Sequence, residues 1–421
     1  MPIVKRFLGQ EILDSRGNPT VAATCELVSG ATGCASVPSG ASKGSAEAVE
    51  LRDGDVKRYA GLGCRQAAAN VTGPINKAAA KKDVDQASLD NLLIELDGSR
   101  DKSRLGANAL LAASLAFSRA AAREVKLPLF LYFAGLLGTA PTYLPRPTIN
   151  LFSGGKHAGG QVQVQDVLVV TVSASSVDEA LATTSDVYRA AVDIVRVKYG
   201  ERALVADEGG LAPAFRDASA MLDDAVDAIQ RARLRPGTDM ALCIDFASSH
   251  FYDSGFYQWG GGLVSSQAMI DTEIDLVERY PVVSIEDGLA DEDWEHWPEL
   301  KRRIGGRALV LGDDLLSTNP ARIRRAVDLR AADALLLKVN QIGTISEALE
   351  AYRLARSAGW MVTFSARSGE TEDSWLADLA VGWSGDQIKV GSLARSERLA
   401  KWNRLLAIER QTGLPMISWP K

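Results

Sequence analysis

Four apolar runs in this chain end in charged residues, and those charges are where chemistry could begin. Ala334-Leu335-Leu336-Leu337 ends in Lys338, and Ala241-Leu242-Cys243-Ile244 ends in Asp245. Val282-Val283-Ser284-Ile285 ends in Glu286 and Asp287, and Leu309-Val310-Leu311-Gly312 ends in Asp313 and Asp314. Such a run suits a strand buried on both faces that delivers its charge at the C-terminal mouth. Three oxygen donors with no cysteine or histidine beside them favour a hard cation such as Mg2+, bound at about 2.0 to 2.1 Å. A single strand-end acid usually caps a helix or pairs with an arginine; three in register with a strand-end lysine weigh against that. A lysine buried near cations loses charge stabilisation, so the pKa of Lys338 is expected to fall towards roughly 7 to 8, where it serves as a general base. It could then remove a proton next to a carboxylate while metal ions stabilise the dianion.

The elements that must position these groups follow from periodicity. From Glu286 onward the strand ends recur at roughly 25 to 30 residues, the spacing of βα units in an eight-stranded barrel, whose functional groups gather at the C-terminal ends of its strands. Residues 3–13 and 21–28 read as strands separated by Asp14-Ser15-Arg16-Gly17-Asn18-Pro19, rich in turn formers. A third strand through Cys34-Ala35-Ser36-Val37 runs into a small-residue segment, residues 38–44, which by composition is a surface loop. Helical periodicity over 66–80, 87–96 and 105–124 completes an α+β unit. Pro141, Pro145 and Pro147 mark a linker, so the expected division is an N-terminal α+β domain over 1–140 and an α/β barrel over 141–421. Gly260-Gly261-Gly262 reads as a hairpin turn, because no strand-glycine-helix pattern surrounds it.

Composition narrows the partners. With 421 residues, 46% hydrophobic and 24% charged, the chain has the make-up of a two-domain globular protein, and a net charge of -6 argues against nucleic acid. Cys25, Cys34, Cys64 and Cys243 have no C-x-x-C spacing, so neither a disulfide framework nor a zinc site is indicated. The longest apolar stretch, residues 107–122, is interrupted by Asn108, Ser114, Ser118 and Arg119 and reads as a core helix. No signal segment is evident, so a cytoplasmic protein with no membrane partner is expected.

Longer motifs carry a resemblance. Ser15-Arg16-Gly17-Asn18-Pro19-Thr20, Val37-Pro38-Ser39-Gly40-Ala41-Ser42, Asp207-Glu208-Gly209-Gly210, Ser284-Ile285-Glu286-Asp287, Leu335-Leu336-Leu337-Lys338-Val339-Asn340-Gln341 and Ala394-Arg395-Ser396-Glu397-Arg398 resemble the enolase family along almost the whole chain. The resemblance implies an N-terminal α+β domain with a mobile active-site loop, a modified (β/α)8 TIM barrel, and elimination of water from a 2-phosphoglycerate-like acid. It implies two Mg2+ ions, with Asp245, Glu286 and Asp313 as ligands of the tighter one and Ser39 holding the second. Lys338 matches the base and Glu208 the acid that protonates the departing hydroxyl. Lys389 matches a partner of the substrate carboxylate, Arg367 and Ser368 match phosphate contacts, and His157 and Gln165 fall on motifs lining the pocket.

The departures from the family cluster in that pocket. Ala366 stands where the family has histidine, Asp166 where it has glutamate, and Lys43 where it usually has threonine. Asp166 is shorter by one C–C bond, about 1.5 Å. A charge-assisted hydrogen bond to a phosphoryl group contributes roughly 1.5 to 3 kcal/mol, and a misplacement of about 1 Å can cost a factor near 100. An enzyme of a central pathway would hardly tolerate both losses. The pattern therefore suggests a substrate altered at phosphorus, a phosphorylated or phosphonylated hydroxy acid, as in the carboxyphosphoenolpyruvate synthase branch that dehydrates carboxyphosphonoglycerate in phosphinate antibiotic biosynthesis. The rival readings are an ordinary glycolytic enolase and a non-catalytic enolase-like binding protein. Family members often pair a glutamate with an arginine across a dimer interface, where this chain has Ala22 and Ala407, so a homodimer with an altered interface is expected.

Overall fold

The computed structural model describes residues 1–41 and 44–418, so Lys43 lies outside the described residues. The chain opens with an antiparallel sheet of β1 (Val4–Leu13), β2 (Pro19–Leu27) and β3 (Thr32–Ser36) in that order. Along β2 the residues Val21, Ala23, Cys25 and Leu27 are buried while those between are half-buried, the period-two pattern of a sheet covered on one face. The cover is the helix Ala107–Glu124, buried nearly all round. Gly33 permits the approach: a Cβ there would sit 2.2 Å from the Ala116 carbonyl oxygen. The helix Gln86–Asp97 starts at a reciprocal capping box between Asp85 and Ser88. The single helix expected over 66–80 is instead Arg65–Asn70 and Asn76–Ala79 joined by a π-turn, Val71–Ile75. Pro74 lies inside that turn, and its missing N–H explains the interruption.

The second part is a closed eight-stranded barrel. Its strands are β4 (Arg146–Ser153), β5 (Asp166–Thr171) and β6 (Met240–Asp245), then, after a small antiparallel sheet of β7 (Tyr252–Asp253), β8 (Phe256–Trp259) and β9 (Gly262–Ser265), β10 (Val282–Glu286), β11 (Leu309–Gly312), β12 (Ala334–Leu337), β13 (Met361–Ser365) and β14 (Gln387–Gly391). The glycine run does form the turn between β8 and β9, with Gly260 and Gly261 at positive φ. Pro147, expected in the linker, is the second residue of β4.

One strand breaks the parallel order: β5 pairs antiparallel with both β4 and β6. Its entry follows a 3-10 turn, Gly155–Ala158, rather than a crossover helix, while two helices, Val177–Lys198 and Ala218–Arg231, precede β6. The reversal puts the first residue of β5 at the mouth where the other strands end. No helix of the described residues is long and apolar enough to cross a membrane.

Candidate active site

The barrel register assembles the strand-end charges. Glu286 pairs with Asp245 across β10 and β6, Asp313 follows β11 by one residue, and Lys338 follows β12 directly. Ser365 pairs with Lys389 on β14, so residues 366–368 leave β13 beside that lysine. Asp166, at the reversed start of β5, lies opposite both Ser153 and Asp245. Glu208 comes from the loop before Leu211, anchored where Ser392 N donates to the Glu208 carbonyl at 2.8 Å. Gln165, His157, Glu208, Asp245, Lys338, Ala366, Arg367, Ser368 and Lys389 line one tight pocket with a cavity of about 10 Å3. Asp166, Glu286 and Asp313 stand against its walls through the contacts below.

Two ammonium groups divide the metal-type acids between them. Lys389 Nζ lies 2.8 Å from Asp245 Oδ2 and 2.7 Å from each Glu286 oxygen, and Lys338 Nζ pairs with Asp313. Burial disfavours the charge on Lys389, but Asp245 and Glu286 overcome it and hold the group well above the ordinary lysine range. Burial also works against Asp245, which Lys389 nonetheless keeps below the usual carboxylate value. Glu286 is pushed well up by burial and by the charge of Asp245. The fall expected of Lys338 concerns a lysine beside bound cations; with the bare Asp313 carboxylate as its neighbour, burial lowers the group, but Asp313 more than reverses the effect and raises it. Without a competing cation on Asp313, Lys338 is a retained acid rather than a base.

A second cluster joins His157, Asp166 and Glu208. The Ser153 hydroxyl donates to Asp166 Oδ1 at 2.5 Å, His157 Nδ1 is 2.8 Å from Asp166 Oδ2, and His157 Nε2 is 3.8 Å from Glu208 Oε1. Asn150 Nδ2 donates to Glu208 Oε2 at 3.1 Å. Burial alone would depress the imidazole, yet the two acids raise it to about 9. Asp166 goes up through burial, while Glu208 stays low because His157 offsets its own burial. Shortened as it is, Asp166 still reaches the histidine.

The anion-type residues form the third edge. Arg367 is buried and paired with Glu47; Ser368 Oγ accepts from Arg16 at 3.2 Å and from Ala41 N at 2.9 Å. Ala366 N donates to the Lys389 carbonyl at 2.8 Å, leaving a methyl on the pocket wall. Ser39 is not brought to the strand-end acids. Its hydroxyl donates to Glu50 at 2.9 Å and accepts from Arg52 at 2.6 Å, and its backbone forms a two-way bridge with Gly369.

Several residues of the site were missed by reasoning from the sequence. Asp287 accepts the backbone N–H groups of Asp313 and Asp314 at 2.8 and 2.6 Å, shaping the turn that presents Asp313. Gln341 donates to Asp313 Oδ1 at 3.0 Å. Arg16 bridges Ser39 and Ser368. Asp287, Gln341 and Arg16 lay within the motifs already noted, but only their partners reveal what they do; Glu47 carried no local signal.

The donor set fits a hard divalent cation. Buried Asp245, Glu286, Asp287, Asp313 and Asp314 outnumber the two ammonium groups among them. Oxygens of Asp287, Asp313 and Asp314 come within 4.8 Å of one another, and Gln165 Oε1 is buried without a partner. Burial and mutual repulsion push Glu286, Asp287 and Asp314 up, Asp314 to about 8, and oxygen donors crowded in this way suit a cation of the Mg2+ type.

A barrel with a reversed second strand, whose mouth combines crowded acids with two lysines, defines a class: barrels equipped for metal-assisted proton transfer. Two family models match the chain, "Enolase, N-terminal domain" over residues 4–133 and "Enolase, C-terminal TIM barrel domain" over residues 141–417. The chain belongs to the enolase family, a family of Mg2+-using hydro-lyases.

Proposed function

We propose that the protein is a Mg2+-dependent dehydratase of a 2-phosphoglycerate-like acid altered at phosphorus, as carboxyphosphonoglycerate is for carboxyphosphoenolpyruvate synthase in phosphinate antibiotic biosynthesis. The observation that carries this reading is the single pocket in which proton-transfer, carboxylate and anion groups meet beside Ala366. Asp245, Glu286 and Asp313 would hold the tighter of two Mg2+ ions, and Ser39 the second once its hydroxyl leaves Glu50 and Arg52. Bound there, the cations would supply positive charge to a substrate carboxylate as it gains electron density. With Asp313 taken up by a cation, the Lys338 ammonium would give its proton to solvent, and the neutral amine then removes the proton next to that carboxylate. Glu208, held in place by Asn150, passes to the departing hydroxyl a proton that it first takes from the imidazolium of His157, which Asp166 orients. Lys389 sits on the carboxylate side of the pocket, with Gln165 beside it on Asp245; Arg367 and Ser368 take the phosphorus-bound oxygens. The methyl of Ala366 takes less of the pocket wall than the family's histidine, which would help admit an added group there, and Lys43, outside the described residues, would supply a cation for it.

The same reading makes residues 1–140 and 141–421 the two domains of a cytoplasmic homodimer. Ala22, half-buried, and Ala407, exposed, lack a charge pair at its interface.

Turnover of both acids by purified protein with Mg2+ tests the proposal. At least a ~100-fold preference in kcat/KM for carboxyphosphonoglycerate, about 2.7 kcal/mol in transition-state binding, is expected. Efficient dehydration of 2-phosphoglycerate instead would make this an ordinary glycolytic enolase, and no turnover of either would leave a binding protein. Ala366→His is expected to raise activity on 2-phosphoglycerate.

A further inference from the structure

Glu47 lies just after the loop of residues 38–44, and its side chain is only 6% exposed. Its carboxylate grips both terminal nitrogens of Arg367, at 3.0 and 3.2 Å. The same carboxylate accepts from Gln341 Nε2 at 3.3 Å and from Gly44 N at 3.1 Å. Gln341 in turn holds Asp313. One side chain therefore connects the guanidinium at the anion edge, the amide that steadies a strand-end acid, and the end of the loop. Glu47 does not line the pocket, whereas Arg367 does, so it supports the guanidinium from outside rather than occupying the place of a ligand.

We infer that Glu47 is a positioning residue that keeps Arg367 aimed into the pocket and away from the acids that would hold the cation. The inference rests on the proposed anion-binding role of Arg367. Planar guanidinium pairs best with a carboxylate that meets two of its nitrogens at once, which fixes the plane of Arg367 as well as its location. The rival partners are close: Glu50 and Asp313 also act on the Arg367 charge, and Arg367 acts on Asp314. With Glu47 neutralised, a buried cation seeks the next available carboxylate. Glu50 and the strand-end acids Asp313 and Asp314 are the available destinations. Anion affinity and cation affinity are thus coupled through one residue that touches neither ligand.

The test is calorimetric titration of the full chain with inorganic phosphate and, separately, with Mg2+ alone, comparing wild type with Glu47→Gln and Arg367→Ala. Glu47→Gln is expected to weaken both phosphate and Mg2+ by about tenfold or more, while Arg367→Ala loses phosphate but binds Mg2+ at least as well as wild type. In the double variant, Glu47→Gln should weaken Mg2+ no further, because no guanidinium remains to move onto the acids. Glu47→Asp, which keeps the charge but withdraws it by about 1.5 Å, should show the same losses in smaller size and serves if the first variant does not fold. Unchanged or tighter phosphate binding in Glu47→Gln would overturn the inference while leaving the role of Arg367 intact. Unchanged phosphate binding in Arg367→Ala would remove the anion assignment and the inference with it.

Discussion

The two mouths of the barrel make opposite use of charge. At the N-terminal mouth a cleft of about 990 Å3, lined by Lys301, Arg302, Arg307, Arg330, Trp360 and others, is far roomier than the pocket at the other end. Its cations are ordinary surface groups: Lys301 pairs with Asp333, Arg302 with Glu299, and Arg307 with Glu278, all at partly or fully exposed positions. At the C-terminal mouth the space is small and nearly every charge is buried. Volume marks where packing ends, whereas desolvated charge marks where the chain accepts a cost that stability alone would not select.

The largest break between the two mouths should come from their lysines. Lys338→Ala is expected to lower kcat by about 10^3-fold or more, within the range for a lost general base, while Lys301→Ala leaves kcat within about twofold; steady-state turnover with Mg2+ measures both. If Lys301→Ala were as damaging, the distinction between the mouths would collapse. Next in size is the response to cation. Saturating Mg2+ should raise Tm by several degrees, since a ligand at about 100-fold its Kd adds ~2.7 kcal/mol, and Glu286→Gln should remove most of that rise in a thermal melt. A shift of equal size in Glu286→Gln would place the cation elsewhere.

The smallest expected effect concerns Glu273, on the helix Ser266–Arg279 that backs the functional mouth. Both its oxygens are buried without a partner, and they fill the space a Cβ on Gly288 would need, 2.3 Å away. Burial raises its pKa well above the ordinary value of 4.5. The folded state therefore holds this proton more tightly than the unfolded chain. The stabilisation is complete below the unfolded pKa and is lost progressively as pH rises above 4.5 towards the folded value. Tm should fall over that window in the wild type and fall less in Glu273→Gln, with the difference growing as pH rises. Parallel slopes in the two proteins would show that Glu273 is not buried as a neutral acid.

The unequal legibility of the site has a physical basis. Asp245, Glu286, Asp313 and Lys338 could be found because a buried strand writes its length and its end into consecutive residues. The direction of β5 could not, since an apolar run reads the same whichever way it points, and the position of Asp166 came only from motif resemblance. The protonation of Lys338 is not legible locally, because its nearest charge is Asp313, 25 residues upstream, and a partner's sign decides the shift. Glu47 and Arg367 are 320 residues apart, so no local pattern announces their pairing.

The docking of residues 36–41 onto the loop after β13 also bears on how the chain becomes active. Ala41 meets Ser368 across 327 residues, and Ser39 bridges Gly369, so these contacts require both halves of the protein to be already folded. Closing so long a segment carries an entropic cost that local helices and hairpins do not face. During refolding from denaturant, helical signal should therefore return first, and competence to bind phosphate last.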